Sequence, residues 1–392
     1  MLKQYFHDIR DAFKLKNYAN YILVTAALIL FTVLQLTGSL RRSHANLLAQ
    51  VGFSIILAVS LNLVVGFLGE LSLGHAGFMC VGAYLGGFVA TRLSQVIHSP
   101  VLVVILAMLV GGIAAALFGF LVGLPALRLK GDYLAIVTLA FGEIIRNIFK
   151  NLPSQLFGGA LGLSTVSYGE HLFIIAFATA LIMLILLQNL IHSKHGRAIT
   201  AIRDSEIAAH SMGINVTFYK LFVFVIAAFF AGTAGVLYSF YVSPVTYSAF
   251  SFNYSIEILV MVVLGGMGNI TGSILAASLI TVLNFYLQAN LSGDLAALKY
   301  LVYALILMFV VIFSNAPSLK PLKEKLTFTS IRHRVMARHY AKHPEAATDT
   351  IRDDSAEWNR IPTKIKTDEV LSTDLTPPEG EVQDQGDKPT AK

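Results

Sequence analysis

The sequence predicts an all-α integral membrane protein, and its composition and the length of its apolar runs are the observations that predict it. Of 392 residues, 55% are hydrophobic and only 13% are charged, whereas about a quarter of the residues in a soluble domain are charged. Several runs reach the roughly 20 apolar residues that a helix needs to cross a hydrocarbon core. Long runs such as FIIAFATALIMLILLQNL do not alternate as the strands of a membrane barrel would. Helices are therefore the expected spanning elements.

The apolar runs predict about eight to ten membrane-spanning helices, some of them interrupted by glycine. The runs at 254–268 and 132–150 are the shortest and weakest, and the second contains Glu143 and Arg146. Together the runs define a membrane domain over residues 21–314. The ten runs are 21–40, 45–66, 76–92, 101–124, 132–150, 172–190, 219–241, 254–268, 270–288 and 299–314.

The distribution of basic residues predicts the orientation. If the N-terminal segment, 1–20, is cytoplasmic, the loops on that side contain more Lys and Arg than the loops on the other side, as the positive-inside rule requires. An even number of spans then also places the C-terminus in the cytoplasm. Residues 315–392 lack long aliphatic runs and contain many charges, so we expect a largely disordered cytoplasmic tail. Its basic first part, 315–343, could lie against anionic lipid headgroups.

Several functional classes lack the residues that they need. Cys80 is the single cysteine, so neither an intrachain disulfide nor a cysteine-rich metal site can form. No G-x-x-x-x-G-K-[ST] loop is present, so the chain does not itself bind ATP through such a motif. We expect no catalytic residue, no metal, no cofactor and no nucleic-acid partner.

A first unusual stretch is GELSLGHAGFMCVGAY, residues 69–84, which places four glycines between apolar runs. Glycine permits tight turns and close helix contacts. Glu70 and His75 would be costly in lipid, so they should face protein, water or each other. One interpretation is a broken helix beside a translocation path, and the other is a glycine-rich packing seam. The residues of the path or its hinge would be Gly69, Glu70, Ser72, Gly74, His75 and Gly77.

A second stretch of this kind is GGMGNITGS, residues 265–273. A pair of glycine-interrupted apolar segments is the sequence pointer to the pathway of a transporter. The alternative interpretation is a tight helical hairpin. The spacing is not that of a dinucleotide-binding fingerprint, and no strand precedes it. The residues of the path would be Gly265, Gly266, Gly268 and Gly272.

The longest cytoplasmic loop predicted within the membrane domain is 193–218. Its middle, DSEIAAHSMGI, can form a short helix that Asp204 or Ser205 would cap and Gly213 would end. Such a helix suits docking into a groove on a partner, or alternatively lies on lipid. It would present an apolar patch and two flanking charges, formed by Ile207, Ala208 and Met212 with Arg203 and Glu206.

Four blocks of the chain together resemble the LivM-type permease of bacterial branched-chain amino-acid ABC importers. In order, they are NLVVGFLGELSLGHAGFMCVGAYLGG, LRLKGDYLAIVTLAFGEIIRNI, GRAITAIRDSEIAAHSMGINVTFYKLFVFVIAAFFAGTAGVLY and VLGGMGNITGSILAA. The resemblance extends from about residue 45 to 314. The first 44 residues and the tail match less well, and SNAPSLKPLKEKL stands where such permeases often have a short arginine- and glycine-containing end.

The resemblance implies a non-catalytic subunit of the bacterial cytoplasmic (inner) membrane. Such permeases contact membrane lipids and work with a second, LivH-type permease, two ATPase subunits and an extracytoplasmic substrate-binding protein. Their substrates are leucine, isoleucine and valine, although similar permeases carry urea or short amides. The cytoplasmic helix of such permeases sits in a cleft of the ATPase. The positions that match it are Arg203, Asp204, Glu206, Ile207, Ala208, Ala209 and Gly213.

A rival interpretation is a secondary transporter driven by protons or sodium. It would use the carboxylates of Glu70, Glu143 or Glu257, which lie in or beside the spans. The residues show no chain of acidic groups through the membrane. Uptake that survives an uncoupler but stops when ATP hydrolysis is blocked would exclude this alternative.

Overall fold

The computed structural model describes residues 15–36, 41–129 and 131–290, together with Leu305 and Met308. These residues contain no β-strand, and one isolated antiparallel bridge joins Leu163 to Val245. The main helices are α1 (Leu15–Leu36), α2 (Arg42–Asn62), α3 (His75–Leu93), α4 (Pro100–Ala126), α5 (Asp132–Asn151), α6 (Leu172–His192), α7 (Lys194–Asp204), α8 (Glu206–Ser211), α9 (Val216–Tyr241), α10 (Phe252–Gly265) and α11 (Ile270–Asn290).

The predicted all-α membrane fold is confirmed. Nine of the ten predicted spans coincide with helices of the described chain. Six helices are long and apolar enough to cross a membrane: α2 with its continuation to Leu68, α3, α4, α6, α9 and α11. The protein is therefore a multi-pass membrane protein. The predicted span 299–314 and the predicted tail 315–392 lie outside the described residues, apart from Leu305 and Met308.

Helix α9 is the centre of the bundle and packs against α4, α3 and α2. Small residues permit this close packing, as is usual between membrane helices. A Cβ atom added at Gly82 of α3 would overlap the carbonyl oxygen of Gly232 in α9. One at Gly235 would overlap the carbonyl oxygen of Met79. Backbone contact, rather than side-chain interdigitation, thus holds α3 against α9.

Helix α2 does not end as a regular α-helix. Residues Leu63–Leu68 continue it as a π-helix, a rare form that often occurs at functional sites. The helix stops at Gly69, whose φ of +83° places it in the left-handed region that glycine adopts without strain. Residues 70–74 are not helical, and α3 begins at His75.

Candidate functional site

The three segments that the sequence singled out meet at one end of the bundle, around the end of α2. Nη1 of Arg203, from the loop 193–218, donates to the carbonyl oxygen of Gly66 at 3.2 Å. The backbone N–H of Gly268, from the second glycine stretch, donates to Oδ1 of Asn62 at 2.9 Å. We call this site the junction; its residues are Asn62, Gly66, Glu70, Arg203, Lys220 and Gly268.

The irregular segment 69–74 turns back alongside α2. His75, the first residue of α3, places its Nε2 2.8 Å from Oγ of Ser60, although Ser60 lies about 12 Å of helix before the end of the π-helix. The backbone N–H of Leu73 donates to Oγ1 of Thr138 in α5 at 3.0 Å. Non-helical backbone therefore lies within the bundle, where protein groups must satisfy it.

The glycines that begin α3 pack directly on α5. A Cβ atom added at Gly74 would overlap the carbonyl oxygen of Thr138, and one at Gly77 would come within 2.7 Å of Cα of Gly142. The structure therefore gives these glycines a packing role, and their part in a translocation path stays a prediction. Ser72 is buried, and its Oγ has no hydrogen-bond partner among the described residues.

An ion cluster joins the first stretch to the loop 193–218. Nζ of Lys220, in the second turn of α9, lies 2.5 Å from Oε1 of Glu70 and 3.3 Å from Oε2 of Glu206. The side chains of Lys220 and Glu70 are 5% and 13% exposed, whereas that of Glu206 is 37% exposed. A buried charge is tolerated when it is paired. Glu70 therefore faces protein, as predicted, but its partner is Lys220 rather than His75.

Arg203 joins the last turn of α7 to both glycine stretches. Its side chain packs on Gly69, where an added Cβ atom would come within 2.7 Å of Cγ of Arg203. Its Nη2 also lies 2.9 Å from Oδ1 of the neighbouring Asp204. Gly268 is adjacent, because a Cβ atom there would come within 3.7 Å of Nη1 of Arg203. Movement of α7 would thus displace the backbone of both glycine stretches.

The second glycine stretch is a tight hairpin between α10 and α11. A Cβ atom added at Gly265 would overlap the backbone of Gly272, and one at Gly272 would overlap the carbonyl oxygen of Gly265. Gly266 and Gly268 have left-handed φ angles of +88° and +79°, which form the turn. The hairpin interpretation therefore describes the geometry, and the role of these glycines in a path stays a prediction.

Asn62 fastens this hairpin to α2. The Asn62 side chain is fully buried. Its Oδ1 accepts from the N–H of Gly268, and its Nδ2 donates to Oγ of Ser273 at 2.9 Å. Asn62 and Lys220 are junction residues that sequence reasoning did not select. The available signal was the same for both residues: a polar side chain in or at the start of an otherwise apolar run.

The loop 193–218, which was predicted to be cytoplasmic, folds into two short helices. Ser193 caps α7 by accepting from the N–H groups of His195 and Gly196. Ser205, rather than Asp204, caps α8 by accepting from the N–H of Ala208 at 3.3 Å. Gly213 follows α8 with a φ of +80°, as expected of the residue that ends a helix.

The predicted coupling residues divide into an inward set and an outward set. Ala209 is buried, Glu206 turns to Lys220, and Arg203 turns to Gly66. The remaining residues leave an apolar surface on α8, which we call the α8 patch. It consists of Ile207, which is 80% exposed, Met212, which is 82% exposed, and the exposed Ala208. Asp204 and Gly213 are also exposed.

Comparison with known proteins assigns the sequence of this chain to a family. A family model described as the permease component of branched-chain amino acid transport systems matches residues 43–311. The permease protein LivM of a high-affinity branched-chain amino acid transport system from Salmonella typhimurium (strain LT2) is 35% identical in an alignment 274 residues long, which covers 62% of this chain and 63% of that protein. The corresponding protein of Escherichia coli (strain K12) is 36% identical in an alignment 261 residues long, which covers 58% of this chain and 60% of that protein.

The chain thus spans about six-tenths of the length of these two curated relatives. A probable branched-chain amino acid transport permease protein LivM from Methanocaldococcus jannaschii is 27% identical in an alignment 323 residues long, which covers 70% of this chain and 92% of that protein. No solved structure matches the chain. Because the family model covers more than half of the sequence, the chain belongs to the family of permease components of branched-chain amino acid transport systems.

Proposed function

We propose that this chain is the membrane permease subunit of an ATP-driven importer for leucine, isoleucine and valine. The observation that carries the proposal is the junction, where Arg203 and Lys220 connect the cytoplasmic loop to the glycine stretches. The family and the names of the relatives support the substrate class. In this proposal the chain does not hydrolyse ATP but transmits the work of partner ATPases.

The proposed mechanism follows the contacts from α8 through Arg203 and Lys220 to the membrane helices. Closure of the ATPases would push α8 through the α8 patch, and α7 would move with it because Ser205 both follows α7 and caps α8. Arg203 would carry this motion to Gly66 and the α10–α11 hairpin, and Lys220 would carry it to α9 and Glu70. The left-handed glycines Gly69 and Gly268 are the positions where the backbone can rotate at least cost.

The proposal includes partners and a location. The junction and the α8 patch would face the cytoplasm, in the bacterial inner membrane, with both termini on that side. Two ATPase subunits would bind there, a LivH-type second permease would lie beside the chain, and a binding protein would dock on the opposite face. The predicted division into a segment 1–20, a membrane domain 21–314 and a tail 315–392 is part of the same proposal.

Co-purification tests the assignment of the α8 patch. Ile207→Asp and Met212→Asp place a charge in an apolar surface that is about four-fifths exposed and has few internal contacts to lose. If the patch fills a groove of an ATPase, each variant should reduce ATPase recovery at least about tenfold, because a buried unpaired charge costs several kcal/mol. The measurement is the ratio of ATPase to tagged chain after purification of the complex.

A matched control is Thr217→Asp, which adds the same charge at an exposed position in the first turn of α9, outside α8. It should leave ATPase recovery near the wild-type value. Equal recovery with all three variants would refute the assignment of α8 as the coupling helix. These substitutions test the α8 patch more specifically than Glu206→Arg, which would also place a second cation beside Lys220.

A further inference from the structure

Helix α5 lies alongside α3, and the contacts between the two helices fix its depth in the bundle. A Cβ atom added at Gly77 would come within 2.7 Å of Cα of Gly142, and the ring of Tyr84 stacks on that of Phe149 with centroids 4.5 Å apart. Both pairs are 65 residues apart in the chain, so the helices run in the same direction. Tyr84 is the middle residue of α3, which is long and apolar enough to cross a membrane. The C-terminal part of α5 is therefore level with the middle of a membrane span.

Polar side chains are exposed on this part of α5. Asn147, Lys150 and Asn151 are exposed, and by the same register Asn151 is level with Gly86 of α3. Beyond Gly86, α3 continues for seven residues, about 10 Å of helix. Although α5 has 20 residues, the described helices that are apolar enough to cross a membrane do not include it. Exposed polar groups at this depth are costly in lipid, so lipid is an unsuitable neighbour for this face.

Non-helical backbone lies at the same depth. The hydroxyl of Tyr84 donates to the carbonyl oxygen of Val245 at 3.2 Å, and Val245 pairs with Leu163 in the isolated antiparallel bridge. Irregular backbone within a membrane is tolerated where it is buried in protein or lines a water-filled cavity. Val245 and Leu163 are buried, whereas the neighbouring end of α5 is exposed. This combination is expected beside an aqueous vestibule.

The charged side chains of this region are held by the chain itself. Nη2 of Arg146 lies 2.5 Å from Oε2 of Glu143, and Oε1 of Glu143 accepts from the backbone N–H of Phe252 at 3.3 Å. Nζ of Lys150 lies 5.3 Å from the ring centroid of Tyr247, a distance at which a cation is attracted to an aromatic ring. These contacts fix the charges in place, so a ligand on this face would chiefly meet the uncharged side chains.

The uncharged side chains line an open groove along α5. Its lining residues are Glu143, Ile144, Asn147, Ile148 and Asn151. Ile144 and Ile148 are 57% and 47% exposed. Nδ2 of Asn147 and of Asn151 each donates to the backbone carbonyl oxygen one turn earlier at 2.8 Å, which uses one of the hydrogen-bonding positions of each amide. The groove thus presents a row of amides beside a row of aliphatic side chains.

We propose that this groove is one wall of the substrate path and that a small zwitterion with an aliphatic side chain passes along it in water. The amides of Asn147 and Asn151 contact the ammonium and carboxylate groups, because an amide both donates and accepts. Ile144 and Ile148 contact the aliphatic side chain. The inference deepens the proposed function and rests on it for the identity of the substrate. Since the groove lies on the outer surface of this chain, the second permease subunit forms the opposite wall.

Thiol accessibility in the assembled complex, reconstituted in proteoliposomes, tests this wall. Cys80→Ala removes the single cysteine, which is buried, and Asn147→Cys or Asn151→Cys then provides the only thiol of the chain. A cysteine reacts as its thiolate, which forms in water rather than in hydrocarbon. A methanethiosulfonate that carries a trimethylammonium group should therefore label either position at least about tenfold faster than a cysteine that faces lipid. The measurement is the mass of this chain as a function of time.

The control is Ile113→Cys in α4, which is matched in depth. Ile113 is 54% exposed and lies two residues beyond Gly111, where an added Cβ atom would come within 3.0 Å of the carbonyl oxygen of Gly82. Gly82 is level with Asn147 in the register of α3 and α5. The control cysteine should react slowly in the complex, and all three cysteines should react at one rate after unfolding in detergent.

Leucine provides the second readout. Increasing concentrations of leucine should slow the labelling of Asn147→Cys and Asn151→Cys in a saturable manner, because the bound amino acid covers the groove. Sorbitol at the same concentrations should not slow it. This comparison distinguishes a wall that contacts the substrate from a wall that is only wet.

The outcomes separate this inference from the proposed function. Labelling of both α5 cysteines at the slow rate of the Ile113→Cys control would overturn the water-filled wall. Fast labelling that leucine slows no more than sorbitol does would overturn the substrate contacts. ATP-driven leucine uptake by the reconstituted wild-type complex tests the proposed function separately, and its absence together with fast, leucine-protected labelling would reject only the importer.

Discussion

At the scale of single residues, the junction depends on buried polar groups that have polar partners. Lys220 lies between Glu70 and Glu206, and Asn62 bonds Gly268 in the hairpin turn and Ser273 in the first turn of α11. Pairing a buried charge mainly avoids a penalty, since the desolvation of two ions offsets most of their attraction. Removing one partner therefore costs more than removing both. This asymmetry makes the contacts testable by double substitution.

Lys220→Met should destabilise the chain by about 3 kcal/mol, because the buried carboxylate of Glu70 loses its cation. The double variant Lys220→Met with Glu70→Gln should recover most of this loss, since no uncompensated buried charge remains. Thermal unfolding of the purified chain in detergent measures both effects. Lys194→Met, at an exposed position of α7, is the control. A double variant as unstable as Lys220→Met would contradict the pairing.

Asn62→Leu should cost about 2 kcal/mol, because the N–H of Gly268 loses its acceptor and Ser273 loses a donor. Hydrogen exchange gives a more specific measurement than unfolding: exchange should accelerate at Gly268 and in the first turn of α11. Asn253→Leu, at an exposed position of α10, should change neither quantity. Unaltered protection of Gly268 in the Asn62 variant would show that the hairpin holds its place without this contact.

At the scale of elements, glycine has two separable uses in this chain. At Gly213, with a φ of +80°, a Cβ atom would meet nothing within 4 Å, so only the backbone conformation requires glycine. At Gly272, which lies in α11, a Cβ atom would overlap the carbonyl oxygen of Gly265. The first case is one of torsional preference, and the second is one of close packing between two helices.

The two alanine substitutions should therefore differ. Gly213→Ala should cost about 1 kcal/mol, the penalty for a left-handed residue, and Gly213→Asn should cost less because Asn tolerates that conformation. Gly272→Ala should cost about 3 kcal/mol, because a packed helix pair must move apart. Thermal unfolding of the three variants compares them. A smaller loss for Gly272→Ala than for Gly213→Ala would mean that the hairpin is looser than described.

The helices could be predicted from the sequence because apolar length and the cost of unsatisfied backbone leave few alternatives. The caps could be predicted only in part: both Asp204 and Ser205 can accept from an N–H, and the choice of Ser205 depends on where α7 ends. The pairing of Glu70 with Lys220 could not be predicted, since 150 residues separate them. Local pattern carries no information about such a contact.

At the scale of the whole molecule, the order of the spans already implies part of the junction. Counting spans from a cytoplasmic N-terminus puts the loops after 45–66, 172–190 and 254–268 on one face. The structure brings residues of these three loops into contact.

This arrangement predicts that binding of the ATPases and transport can be separated. Arg203→Ala removes the bond to Gly66 and the packing on Gly69 but leaves the α8 patch intact. The assembled complex should therefore retain its ATPases and hydrolyse ATP at a rate within about twofold of wild type. Leucine uptake should fall at least about tenfold, because the motion of the ATPases no longer reaches the membrane helices and the free-energy barrier to their rearrangement rises. The measurement is the number of ATP molecules hydrolysed per leucine accumulated in proteoliposomes.

The control for this prediction is Arg197→Ala, an exposed arginine earlier in α7, which should leave the ratio of hydrolysis to uptake unchanged. A parallel loss of hydrolysis and uptake in the Arg203 variant would place Arg203 in the ATPase interface rather than between that interface and the membrane helices. Normal uptake would mean that Lys220 and α9 carry the motion without Arg203. In that case Lys220→Met with Glu70→Gln should uncouple the complex instead, because this double variant removes the second connection between the loop 193–218 and the bundle.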